Sequence, residues 1–138
     1  MQQYSRPLFN YNPVKDEKLE KYADKDTTIS LNLSYGYLKY TPRSLSLFTC
    51  LVELDLQNND LTEFKLKSEI LKRLHLGRNS IRIFPIYKKQ LPILEELYLD
   101  GNKIEFVPDI LSIMPLLKIL DMRYNSIRNP INTIQIFK

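Results

Sequence analysis

The 138-residue sequence predicts an α/β solenoid, a stack of short parallel strands backed by an outer layer of turns and short helices. Three observations predict it. A leucine pattern returns at near-constant intervals, its apolar residues alternate with polar ones over strand-length stretches, and a proline recurs behind several copies. A chain this long builds one domain around one core. Its 43% hydrophobic and 26% charged residues are ordinary for a folded domain, but 23 Leu and 14 Ile stand against three Val and a single Ala.

The copies begin at residues 28, 51, 71, 94 and 117, in steps of 23, 20, 23 and 23. The first, 28–50, is degraded and keeps Thr28, Leu31, Leu33, Gly36 and Leu38. The second, 51–70, carries Leu51, Leu54, Leu56, Asn59 and Leu61; the third, 71–93, carries Leu71, Leu74, Leu76, Asn79 and Ile81. The fourth, 94–116, has Leu94, Leu97, Leu99, Asn102 and Ile104, and the fifth, 117–138, has Leu117, Leu120, Met122, Asn125 and Ile127. Residues two apart, such as Leu54 and Leu56, point to one side of a strand, while Glu53, Asp55 and Gln57 point to the other. A lone strand cannot bury that apolar side. Stacking the copies pairs the strands in parallel and merges their leucines into a continuous core.

Four copies keep the grammar L-x-x-L-x-[LM]-x-x-N-x-[LI], and the pattern covers residues 28–138, about four fifths of the chain. It resembles the leucine-rich repeat family. Thr41-Pro42, Phe84-Pro85 and Val107-Pro108 look like the variable segments of its intracellular 23-residue type. The resemblance implies a short right-handed solenoid, a horseshoe arc with the parallel sheet on its concave face. It also implies a structural ladder in which Asn59, Asn79, Asn102 and Asn125 bond backbone groups of the neighbouring turn, with Gly36 leaving the first turn to be satisfied differently.

Each end of such a stack needs covering. Residues 1–27 are expected to form a partly helical N-terminal cap. Asn12 and Pro13 suit a helix start, Asp16 and Glu17 suit its positive end, and Leu8, Phe9, Val14, Leu19, Tyr22 and Ala23 supply the covering side chains. At the other end Ile131, Ile134, Ile136 and Phe137 either fold back as a minimal cap or leave the edge to a partner. Between repeats, the prolines favour turns and short or irregular helices. Ile110, Leu111, Ile113, Met114 and Leu116 are expected to face inward there, and Phe48, Phe64, Phe84, Phe106 and Tyr87 to pack in the core or outer layer. Cys50 is expected to pack as a small apolar side chain. Two departures matter: the second copy is three residues short, and the fifth places Pro130 one position early.

Alternation sends three columns of side chains outward: Ser30, Glu53, Arg73, Glu96 and Ile119; Asn32, Asp55, His75, Tyr98 and Asp121; and Ser34, Gln57, Gly77, Asp100 and Arg123. Strand spacing puts their members ~4.8 Å apart. Arg73 between Glu53 and Glu96 reads either as a charge ladder holding the sheet or as part of a binding surface. The second reading adds Tyr35, Asp55, His75, Arg78, Tyr98, Asp100, Asp121, Arg123 and Tyr124, a mixture of aromatic and guanidinium groups suited to a protein interface, with dips at Gly77 and Gly101. With the flanking Lys72, Glu95, Lys118 and Arg78, six acids oppose five bases, a poor groove for phosphates.

The net charge of +4 therefore lies elsewhere, and Arg43, Lys65, Lys67, Lys88 and Lys89 on outer segments are the candidates for RNA contact. Catalytic chemistry is missing. His75 is the single histidine and Cys50 the single cysteine, so two-histidine and paired-cysteine zinc sites cannot form, and three glycines are too few for a phosphate loop. Glu95 and Glu96 point to different sides of a strand, a weak pair for acid–base work. No window has the ~18 unbroken apolar residues of a membrane span, and the start lacks a secretory signal's apolar core. The sequence thus predicts a non-enzymatic cytoplasmic or nuclear module without metal, cofactor, small-molecule substrate or membrane partner, binding a protein through its sheet. The alternative is an accessory protein docked on a ribonucleoprotein particle, a ribosome or spliceosomal assembly, with its outer basic residues on RNA.

Overall fold

Leucine alternation sets the strands. A computed structural model of the chain describes residues 19–128. Five three-residue strands, β1 (Ser30–Asn32), β2 (Glu53–Asp55), β3 (Arg73–His75), β4 (Glu96–Tyr98) and β5 (Ile119–Asp121), form one parallel sheet in chain order. Their central residues align without slippage: Leu31, Leu54, Leu74, Leu97 and Leu120 form one row. The first four of these are at most 3% exposed, whereas the polar residues on either side of each stay partly accessible. This is the α/β solenoid that the repeat predicts. No helix among the described residues is long and apolar enough to cross a membrane.

The outer layer consists of turns and very short helices. A 3-10 helix, Arg43–Leu47, follows Pro42, and a single helical turn, α1 (Ile110–Ile113), follows Pro108 and Asp109. The shortened second repeat has neither, yet its strand keeps register, so the deletion is absorbed entirely outside the sheet. Gln90, fully buried, compensates. Its Oε1 accepts the Tyr87 N–H at 3.0 Å, and its Nε2 donates to the Leu66 carbonyl at 3.0 Å, tying the third outer segment to the short second one. On the other side of that segment lies an open cleft lined by Leu45, Phe48, Leu66 and Ile70.

The asparagines satisfy the turns. Asn79 Nδ2 donates to the carbonyls of Leu56 and Leu76, both at 3.0 Å, while its Oδ1 accepts the Leu61 N–H at 3.0 Å. Asn102 and Asn125 repeat this arrangement one and two coils on. Asn59 also serves the coil that lacks an asparagine: its Oδ1 accepts both Gly36 N–H at 2.9 Å and Leu38 N–H at 3.0 Å. Buried backbone groups at the bend are thereby paired without water.

Several outer positions differ from expectation. Leu111 and Leu116 are about half exposed rather than inward-facing, because α1 is a single turn whose inward positions go to Ile110 and to Met114 just after it. Phe106 and Tyr87 are each 60% exposed instead of packed, since Val107 and Ile86, one position along, take the inward places. Cys50 is exposed, not packed; its Sγ lies 3.1 Å from the Asp26 carbonyl. Within the expected cap, Leu19–Lys21 forms a short 3-10 helix, with Leu19 fully buried and its N–H donating to Ser44 Oγ. Tyr22 and Ala23 are partly buried, Ala23 against the core, whereas Leu8, Phe9, Asn12, Pro13, Val14, Asp16 and Glu17 and the C-terminal Pro130, Ile131, Ile134, Ile136 and Phe137 lie outside the described residues.

Candidate functional site

Parallel pairing places the outward columns side by side. Glu53, Arg73, Glu96 and Ile119 are neighbours in one row, and Asp55, His75, Tyr98 and Asp121 in the next. Over β2 to β4 their side chains close into a ring. Arg73 Nε lies 3.3 Å from Glu53 Oε2 and 3.7 Å from Glu96 Oε2. The other oxygen of Glu53 lies 3.1 Å from His75 Nε2, which donates when it carries the proton. His75 stacks on Tyr98 with centroids 4.6 Å apart and planes 3° from parallel, and Tyr98 Oη donates to Glu96 Oε1 at 3.0 Å. Glu96, which the sequence marks only as a rung of a charge ladder, is therefore the residue that joins the aromatic pair to the arginine. The ladder and the binding-surface readings describe the same side chains.

Burial and neighbouring charge shape the ring's chemistry. Burial, reinforced by the bond to Glu96 and by nearby carboxylates, pushes the Tyr98 phenol up to about 12, so it remains a donor. Burial also holds the Asp55 carboxyl above the ordinary range, against the opposing pull of the Gln57 N–H and His75. Asp121 goes the other way: Arg123 grips it through Nε at 3.0 Å and Nη2 at 2.8 Å and holds its carboxyl below the ordinary range. The sheet face thus presents fixed charges on an ordered platform.

The rim is built differently. Tyr35, Asn58, Arg78, Gly101 and Tyr124, each directly before the Gly36 or asparagine position, all have positive φ between 55° and 66°. The left-handed residue turns the chain out of its strand while its N–H reaches the next coil, as Asn58 does to the Gly77 carbonyl at 2.9 Å and Arg78 to the Asp100 carbonyl at 2.7 Å. Tyr35, Arg78 and Tyr124 consequently sit exposed at the rim of the sheet rather than on its strands, Arg78 with its stem against Gly101. Only glycine and asparagine signal such a conformation by type; the position before the asparagine is the signal that would have found the others.

The dips expected at Gly77 and Gly101 are filled. The Asp100 carboxylate covers Gly77, so closely that a Cβ there would lie 2.6 Å from Oδ1, and the Arg78 side chain covers Gly101. Ser34, expected to face outward, is 4% exposed and bonds Asn32 Oδ1 through both N–H and Oγ. The basic candidates Arg43, Lys65, Lys67, Lys88 and Lys89 are exposed on the first three outer segments, with Lys65 held 3.2 Å from Glu63. The sheet set and the outer basic set therefore occupy different sides of the solenoid. Among the described residues, no group of three or more His, Cys, Asp or Glu is placed to hold a metal ion.

The Leucine Rich Repeat family profile matches residues 94–114. No curated protein sequence matches the chain. Among solved structures, the chain is similar to one in the crystal structure of the Drosophila melanogaster SNF/U2A' complex, at 21% identity and a TM-score of 0.63. That alignment covers 78% of this chain and 64% of the other, so the chain spans less than two thirds of its neighbour's length. The recurring leucines and the stacked parallel strands with their asparagine bonds give the chain the leucine-rich repeat fold, and the profile of that family matches its fourth copy.

Proposed function

We propose that the chain is a non-catalytic interaction module, a scaffold or regulatory subunit that binds a protein partner through the solvent-facing side of its sheet. One observation carries this reading: Glu53, Arg73, Glu96, Tyr98 and His75 form a closed, partly buried ring of aromatic and charged groups at the centre of that face. Such side chains, already held in one geometry, lose little conformational entropy when a partner covers them. Tyr35, Asp55, Arg78, Asp100, Asp121, Arg123 and Tyr124 surround the ring and would contribute selectivity rather than most of the affinity.

The test starts from affinity purification of the intact chain from its own cell, with and without nuclease. A protein that survives nuclease treatment is then titrated against the parent chain and the Tyr98→Ala/Arg73→Ala double variant. The expected loss is ~2 kcal/mol or more, about thirtyfold in affinity. Unchanged affinity in a variant that melts like the parent would move the site off the sheet.

A second reading has one observation in its favour, the likeness to a chain of the SNF/U2A' complex. Here the chain is an accessory protein on a ribonucleoprotein particle, with Arg43, Lys65, Lys67, Lys88 and Lys89 on RNA. It predicts that the partner is lost on nuclease treatment and that binding weakens steeply with salt.

A further inference from the structure

The solenoid segregates its charge. The three outward columns of its sheet carry five carboxylates, Glu53, Asp55, Glu96, Asp100 and Asp121, against two guanidiniums, Arg73 and Arg123, an excess of three negative charges that the flanking Lys72, Arg78 and Lys118 against Glu95 reduce to one over the wider face, in a chain whose net charge is +4. The residues outside the columns therefore carry +7. Both guanidiniums are already taken: Arg73 lies between Glu53 and Glu96, and Arg123 is bidentate on Asp121. These two contacts show that the carboxylates of this face accept guanidinium groups in sound geometry. Asp55 keeps its charge in excess, flanking the His75 side of the aromatic stack as Asp121 flanks the Tyr98 side.

From this charge complementarity we propose that the partner's docking element is a basic protein segment, one whose arginine or lysine side chains lie across β2 to β5. The inference rests on the sheet-face reading above and names the chemistry of its partner. Carboxylates on β2 and β4 are separated by two strand spacings, ~10 Å, which matches two turns of a helix, ~10.8 Å. Two cations at that separation reach β2 and β4 at once. Phosphates are repelled by the same surplus, so RNA is the wrong occupant for this face. A second copy, offering its basic outer side, is the remaining competitor.

The test is an amide-shift NMR titration of the full chain with three probes: a deca-arginine peptide, a deca-glutamate peptide and a ten-nucleotide uridine RNA. The arginine peptide is expected to shift residues 53–57, 96–100 and 119–123, and to dissociate as salt rises to about 0.5 M. The Asp55→Asn/Asp121→Asn double variant should weaken it about tenfold or more, while Asp60→Asn, which removes an exposed charge elsewhere, should leave it unchanged. Absence of binding, shifts confined to other residues, equal loss in Asp60→Asn, RNA or glutamate peptide on the same amides, or self-association of the unmixed chain at low salt would each overturn the proposal. The two readings fail separately. A native partner that needs Tyr98 and Arg73 but docks through an acidic segment leaves the sheet-face reading standing and removes this one. A native partner indifferent to Tyr98 and Arg73, with the arginine peptide still on the face, does the reverse.

Discussion

Replacing Asn102 with alanine tests the asparagine ladder at its most enclosed rung. Asn102 is 6% exposed. Its Nδ2 donates to the Leu76 and Leu99 carbonyls, both at 3.0 Å, and its Oδ1 accepts the Ile81 N–H at 3.1 Å. The two carbonyls retain a partner after the substitution, because Asn79 donates to Leu76 at 3.0 Å and Asn125 to Leu99 at 2.9 Å. Ile81, fully buried, retains none for its N–H. The cost is therefore that of one orphaned buried donor, ~1–3 kcal/mol, with a small cavity added. Asn125→Ala should cost less, about 1 kcal/mol, because Asn125 is only partly buried and water can replace its oxygen at Ile104. Urea unfolding gives the global difference, and hydrogen exchange at the Ile81 amide gives the local one, which matters because stacked repeats need not unfold in two states. Asn102→Ala within about 0.5 kcal/mol of the parent, with Ile81 still protected, would refute the reasoning.

The two sheet-rim glycines should respond differently to alanine. Gly101 has a φ of +66° and lies against the Arg78 backbone, so Gly101→Ala should cost ~1–2 kcal/mol in any background. Gly77 has no such conformation and the three atoms nearest an added Cβ all belong to the Asp100 side chain, so the cost of Gly77→Ala should largely vanish in an Asp100→Gly background; a double-mutant cycle in urea measures this. The carboxylates give opposite signs with pH. Asp55 is raised by burial, so its charged form opposes folding at neutral pH, and Asp55→Asn should stabilise at pH 7 with the gain shrinking as acid protonates the parent. Asp121 is lowered by Arg123, so its contribution is present above the unfolded-state carboxylate range and is lost as pH falls through the folded value. Asp121→Asn should therefore destabilise at pH 7, with the difference closing in acid. Thermal unfolding at pH 7 and about pH 3 separates the two; shifts of equal sign would refute these assignments.

Much of the site was legible before the structure because both the strand period and the repeat period are properties of the chain. An alternation of two fixes which residues face outward, and a constant step fixes which of them are neighbours, so Arg73 falls between Glu53 and Glu96 by counting alone. What counting leaves open is how neighbouring side chains divide the space. That Arg73 shares a closed ring with Tyr98 and His75 follows from Tyr98 bonding Glu96 and stacking on His75, contacts that depend on rotamers rather than register. The glycine dips failed for the same reason: the room left by a missing side chain was taken by Asp100 and Arg78 from adjacent coils.

The sequence by itself determined the number, order and register of the strands, the apolar spine and the asparagines that close the turns, since all of these follow from side-chain period and from interactions between successive copies. Tertiary structure alone decided the rest. The left-handed bend at Tyr35 and Arg78 accompanies hydrogen bonds to the next coil, against the preference of those residue types, and Tyr124 shares the conformation. Burial of Gln90, exposure of Phe106, Leu111 and Leu116, and the closing of the charged ring likewise depend on how adjacent coils meet, which no single copy of the repeat encodes.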